Sequence, residues 1–139
     1  MLQKSDYYKG FLELLSQLTH CDIRKISYDD FTNRLAELPS QVYVLKSATT
    51  GQILATASLL IEKKFIHELG KVAHIEDVVV DKEWRGKGIG KTLIDHLIGM
   101  AHLQNCYKII LDCSEENIGF YSKNGFEKKG VQMAIYFPE

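Results

Sequence analysis

The 139-residue chain predicts an α/β fold, a mixed central sheet with helices on both faces. Helix-period stretches come first and two β-rich runs follow them. From residue 72 onward the pattern then alternates strand, helix, strand, helix, strand. In the stretch 88–102, Ile89, Leu93, Ile94, Leu97, Ile98 and Ala101 form an apolar face wide enough to lie on a sheet.

Each element has its own signal. Between Tyr7 and Leu18, apolar residues recur at Phe11, Leu14, Leu15 and Leu18, which is helical spacing. Ser27 with Asp29 and Asp30 reads as an N-cap and an acidic first turn. The helix it opens carries Phe31 and Leu35 inward and stops before Pro39. The β-rich runs 42–48 and 53–62, split by Thr49-Thr50-Gly51, predict a hairpin. Ile75, Val78, Val79 and Val80 mark a strand over 72–80, and the helix 88–102 follows. YKIILD, 107–112, is nearly continuous in apolar character and predicts a strand buried on both faces. A short helix over 114–123 is expected, capped by Ser114, with Glu115 and Glu116 in its first turn and Asn124-Gly125 at its end. The last strand is expected over 131–137.

Nothing in the sequence marks a linker, so one domain over 1–139 is expected. Hydrophobic residues are 45% and charged residues 25%, as in an ordinary globular protein. Lys+Arg number 17 against Asp+Glu 18, so overall charge gives no reason to expect nucleic acid or an anionic membrane. No apolar run spans a bilayer, and MLQKSDYYKG is too polar for a signal peptide. Cys21, Cys106 and Cys113 are odd in number and form no C-x-x-C, which predicts reduced thiols in a cytoplasmic protein. Cys113 is expected to be a small buried thiol. No metal site is expected, because the five histidines lack any ligating spacing.

The stretch WRGKGIGKTL, 84–93, has the look of a phosphate loop opening a helix. It is not a P-loop, because that motif needs its first glycine at position 85, which is Arg85. Nor is it a dinucleotide fingerprint. Counted from Gly86 or Gly88, the third glycine falls on Lys91 or Leu93. The pattern R/Q-x-x-G-x-G/A fits throughout, with Arg85, Gly88 and Gly90 as its fixed members. Such glycines let backbone N–H groups approach a pyrophosphate at a helix N-terminus, where the dipole adds about +0.5 charge. On its own the loop equally fits a glycine-rich turn with solvated lysines.

That loop resembles the pyrophosphate loop of the Gcn5-related N-acetyltransferase (GNAT) superfamily. KKFIHELGKVAHIEDVVVDKEWRGKGIGKTLIDHL and CYKIILDCSEENIGFYSKNGF, with QLTHCD near the start, narrow the match to the branch whose acceptor is glucosamine 6-phosphate. The resemblance runs from about Leu18 to Met133. It implies a mixed, mostly antiparallel sheet (the acyl-CoA N-acyltransferase fold), acetyl-CoA as co-substrate and an amino sugar phosphate as acceptor. It also implies an intertwined homodimer whose acceptor site is shared between the two copies.

The resemblance also implies residue roles. Glu76, Asp77 and Val78 pair with the pantetheine arm. Arg85, Gly86, Lys87, Gly88, Ile89, Gly90 and Lys91 bind the pyrophosphate. Asn117 and Tyr121 approach the thioester, and Tyr121 protonates or stabilises the leaving thiolate. Asp112 orients the amine through its main chain. Glu76 and Asp77 form the acidic pair near the sugar, so Glu76 joins Tyr121 and Asp112 as a catalytic candidate. Thr19, Lys64, His67 and Lys108 contact the sugar phosphate. The chemistry agrees: a carboxylate can take the amine's proton, a phenol can give one to sulfur, and direct transfer needs no covalent intermediate.

Two features depart from the family. No strand is expected before the first helix. No arginine follows Arg85, and Tyr136 stands where the family places a phosphate-binding arginine. Lys64, His67, Lys108, Lys128 or Lys129 must then carry the phosphate. Transfer to a polyamine or peptide amine, and non-catalytic acyl-CoA binding, stay open as alternatives.

Overall fold

A computed structural model describes residues 1–138 of the chain. The elements in order are α1 (Phe11–Leu15), α2 (Tyr28–Glu37), β1 (Gln41–Lys46), β2 (Ile53–Lys63), α3 (Ile66–Leu69), β3 (Lys71–Val80), α4 (Ile89–Leu103), β4 (Lys108–Ile110) and α5 (Ile118–Lys123). The sheet order is β1-β2-β3-β4. The first three strands are antiparallel neighbours, and β4 joins β3 in parallel, so the sheet is mixed and mostly antiparallel as expected.

Helices cover both faces. On one, Leu93, Ile94, Leu97 and Ala101 of α4 pack on Ala55, Ala57, Leu59, Ala73 and Ile75. Small residues in β2 and β3 let the helix approach closely. On the other, Phe11, Leu12 and Leu14 of α1 and Phe31 of α2 pack on Val42, Ile53 and Val79.

The helix expected over 7–18 is broken. A 3-10 turn, Lys4–Tyr8, precedes α1, and Gly10 between them is left-handed at φ 84. A Cβ there would lie 2.9 Å from Gln52 Oε1, so the chain turns at the one residue that fits. As expected, no strand precedes α1 among the described residues. Leu2 N merely donates to Val42 O at 2.9 Å. Buried Asp6 anchors this segment through Lys46 Nζ, 2.7 Å away.

The capping box of α2 forms as the sequence predicts. Asp30 N donates to Ser27 Oγ (3.1 Å), and Ser27 N donates to Asp30 Oδ2 (3.0 Å). Ser27→Ala is expected to destabilise the protein by about 1 kcal/mol, read from urea midpoints at unchanged slope.

Three expectations fail near the C-terminus. The strand predicted over 107–112 shortens to β4, whose Lys108 and Ile110 are exposed, so it is not buried on both faces. Ser114 does not cap a helix backbone. Its hydroxyl accepts Asn117 Nδ2 (3.1 Å), and a 3-10 turn, Glu115–Asn117, precedes α5. The segment 131–137 is not a strand. Val131, Met133, Ile135, Tyr136 and Phe137 are all more than four-fifths exposed. The strand results share a physical reason: β4 is an edge strand, and among the described residues the tail finds no strand partner.

Candidate active site

Two irregularities of β3 open the site. Against β2, the register passes from Thr56↔Val79 to Ser58↔Glu76. Asp77 and Val78 thus oppose Ala57 alone, and Asp77 is left-handed at φ 51. This bulge bends the strand beside Glu76. Against β4, β3 pairs only at Val72↔Lys108, Ala73↔Ile109 and His74↔Ile110. Beyond His74 the two chains diverge, leaving the edge of Glu76, Asp77 and Val78 without a strand partner among the described residues.

The glycine loop lies at the end of β3. Asp81 N donates to Leu54 O (2.8 Å), and Arg85 Nε donates to Val80 O (3.0 Å), which ties the loop to the sheet. Gly86 and Gly88 both have φ 79, and a Cβ on either would meet nothing within 4 Å. Their backbone is therefore bare toward open space. Thr92 N makes the first bond of α4, to Gly88 O (3.1 Å). The N–H groups of Ile89, Gly90 and Lys91 precede it, so the helix gives them no partner. Bare glycines, orphan donors and a helix N-terminus fit an anionic diphosphate. The cations around them have partners of their own: Lys91 Nζ is 2.6 Å from Asp95 Oδ2, and Lys87 Nζ sits 4.7 Å from the Trp84 ring.

Helix α5 places Tyr121 close to that helix start. A Cβ on Gly90 would be 3.2 Å from Phe120 Cζ, so glycine allows α4 and α5 to touch. Tyr121 is half-buried, edge-on to Phe120 and Phe126 at 5.0 and 5.9 Å. Burial, and after it the neighbouring Cys113, pushes its phenol above the usual range. The hydroxyl thus stays a proton donor through neutral pH. Cys113 is exposed, not buried as expected, because the loop after β4 has no cover. A cavity of about 690 Å³ brings Lys108, Asp112, Cys113 and Tyr121 together.

Glu76 is exposed on β3, across from Ser58. Desolvation comes first, then the charges of Asp77 and Asp112, in raising its carboxyl above the usual range, while His74 opposes them. Asp77 also lines a second cavity, about 290 Å³, beneath α1 and α2. The bulge therefore keeps the acidic pair close enough for the Asp77 charge to act on Glu76.

The predicted acceptor residues form one cluster and one outlier. The turn α3 holds His67, Glu68 and Leu69 in left-handed backbone, with φ 53, 52 and 63. Each costs about 1–2 kcal/mol in a non-glycine residue. His67 stacks on Tyr107 with centroids 4.0 Å apart, and Lys108 Nζ lies 5.7 Å from the same ring. Gly70 permits this, since a Cβ there would be 2.8 Å from Tyr107 Cδ1. Lys64 Nζ bonds Glu62 Oε1 at 3.1 Å. Thr19 stands apart, exposed after α1. Among the described residues no hydrogen bond or ion pair links it to the others. Tyr107, Glu62 and His74 were missed in the sequence. Period-two alternation around Glu76 was the signal available for His74.

Residues 8–126 match the model of the acetyltransferase (GNAT) family. The glucosamine 6-phosphate N-acetyltransferase of Arabidopsis thaliana is 45% identical over 141 residues, covering 98% of this chain and 93% of its own. That of Candida albicans is also 45% identical with the same coverage. The crystal structure of the Arabidopsis enzyme matches with a TM-score of 0.94 at 44% identity, over 99% of this chain and 95% of that one. A Trypanosoma brucei acetyltransferase structure matches at 0.89 and 38% identity, over 98% and 96% of the two chains. The looped, splayed sheet and these similarities agree: the chain belongs to the acetyltransferase (GNAT) family.

Proposed function

We propose that this protein transfers the acetyl group of acetyl-CoA to the amine of D-glucosamine 6-phosphate, giving N-acetyl-D-glucosamine 6-phosphate and CoA. The observation that carries this reading is the near-full-length similarity to enzymes of that name, at 45% identity. The bare glycine backbone at the start of α4 supports the donor side.

The loop from Arg85 to Lys91 holds the pyrophosphate, and the open edge of Glu76, Asp77 and Val78 pairs with the pantetheine amides. Asn117 helps frame the thioester end. Glu76 takes the proton that the ammonium acceptor must lose, which suits a carboxyl raised above its usual range by burial. The neutral amine attacks the carbonyl carbon directly. As the C–N bond forms and the C–S bond breaks, Tyr121 gives its hydroxyl proton to the departing sulfur. The main chain at Asp112 orients the amine. His67 and Lys108, around Tyr107, and Lys64 beside Glu62 face the phosphate in place of the missing arginine, with Thr19 closing the far side. Two copies share this site, with the exposed tail of each, 131–137, pairing with β4 of the other.

We read residues 1–139 as one domain, working without a metal in the cytoplasm. No helix of the described residues is long and apolar enough to cross a membrane. The described residues contain no group of three or more metal-ligating side chains.

Free-thiol release from acetyl-CoA, with and without glucosamine 6-phosphate, tests the reading. Thiol release that does not rise with the sugar rejects it. Preference for a polyamine or peptide amine in an acceptor panel would move the assignment to another amine. Gly88→Ala is expected to raise the acetyl-CoA KM about tenfold, because a side chain at positive φ costs about 1–2 kcal/mol and fills the cradle. Steady-state kinetics at saturating acceptor would measure it.

A further inference from the structure

We propose that Asp95 is a positioning residue for the donor: its carboxylate holds Lys91 and must give it up before the ammonium can meet the diphosphate. Asp95 thereby sets how tightly acetyl-CoA and CoA are bound. This rests on the reading of Arg85 to Lys91 as the diphosphate loop. Three cations belong to that loop, and each has a different partner. Arg85 Nε donates to the main chain at Val80 O (3.0 Å), and Lys87 Nζ lies 4.7 Å from the Trp84 ring. Neither partner is charged, so neither competes with an incoming anion. Lys91 Nζ donates to Asp95 Oδ2 at 2.6 Å, and among the described residues it is the one loop cation in an ion pair.

The pair is poorly placed to stabilise the helix itself. Lys91 lies in the first turn of α4, and that turn carries no acidic residue. The helix dipole opposes a cation there. Lysine ahead of an acid, four residues apart, is also the weaker order for such a pair. The two side chains are 62% and 51% exposed, so water screens their attraction. A diphosphate at the helix start would satisfy both the dipole and Lys91. Helical side chains tilt toward the N-terminus, so Asp95, one turn on from Lys91, leans toward the same place. Its charge competes for Lys91 and repels the diphosphate, and both effects weaken binding. CoA keeps that diphosphate after transfer, so Asp95 loosens product and donor alike.

Calorimetric titration of the full chain with CoA tests this. Asp95→Asn, which keeps the side chain's shape, is expected to lower the CoA Kd about threefold, the scale of one exposed ion pair. In a Lys91→Met background there is no ammonium to release, and adding Asp95→Asn should change Kd by less than about 1.5-fold. The kcat/KM for acetyl-CoA should rise about threefold in Asp95→Asn, while that for S-acetylpantetheine, a donor without the diphosphate, stays within about 1.5-fold. A Kd that is unchanged or raised in Asp95→Asn overturns the proposal. So does an equal gain in the Lys91→Met background, or an equal gain with S-acetylpantetheine. Failure of the loop reading looks different. Wild-type protein that binds CoA no more tightly than pantetheine removes the diphosphate loop and the role of Asp95 with it. Tight CoA binding that Asp95→Asn leaves unaltered removes only the role of Asp95.

Discussion

Tyr121→Phe is expected to lower turnover by about 10²–10³-fold while changing the acetyl-CoA KM by less than about threefold, since general acid catalysis contributes about 10²–10⁴-fold. The substitution keeps the ring that packs between Phe120 and Phe126, so α5 and its contact with Gly90 should survive. Only the hydroxyl is lost. In the wild type the phenol is raised by burial, so the acid form persists as pH climbs past the ordinary tyrosine value. Activity should therefore fall only above the ordinary pKa, and Tyr121→Phe should lack that part of the basic limb. Wild-type turnover in Tyr121→Phe would take this residue out of the mechanism. Tight acetyl-CoA binding without turnover in the wild type would instead favour a non-catalytic binding module.

Removing residues 131–139 is expected to convert a dimer to a monomer and to reduce activity below about 1% of wild type. The tail carries Val131, Met133, Ile135 and Phe137 in alternation, nearly fully exposed, while among the described residues the outer edge of β4 has no strand beside it. Burying one such apolar side chain contributes about 1.5–3 kcal/mol, so several per copy, made twice across a two-fold axis, are ample for a stable pair. Light scattering behind a sizing column would measure the mass of both forms. A wild-type monomer, or a truncated form that remains dimeric and active, would contradict the shared site. Mixing the truncated form with full-length Tyr121→Phe gives a second reading, because a shared site predicts partial recovery of activity in the mixed dimer.

Much of the fold was legible because each signal was local. Ser27 and Asp30 make their capping box within one turn, and the apolar positions of α4 repeat along a single helix. The glycine loop was equally local, since Arg85, Gly88 and Gly90 lie within six residues. The break at Gly10 was not legible, because what demands glycine there is Gln52, forty-two residues away. Nor was the cluster at Tyr107. It depends on three consecutive left-handed residues that no propensity favours, with His67 stacked on Tyr107 just ahead of β4.

By itself the sequence determined the class of fold, most of its helices and strands in order, and the family, because periodicity, caps and a contiguous motif are written along the chain. Only the tertiary structure decided how the site is assembled. The bulge at Asp77 bends β3 beside Glu76, the divergence of β3 from β4 leaves the edge of Glu76, Asp77 and Val78 unpaired among the described residues, and cross-strand pairing sets Glu62 beside His74 with Lys64 on the same carboxylate. The tail shows the difference most plainly. Its alternation reads as a strand, but a strand is defined by hydrogen bonds to a neighbour, and the described residues supply none for it.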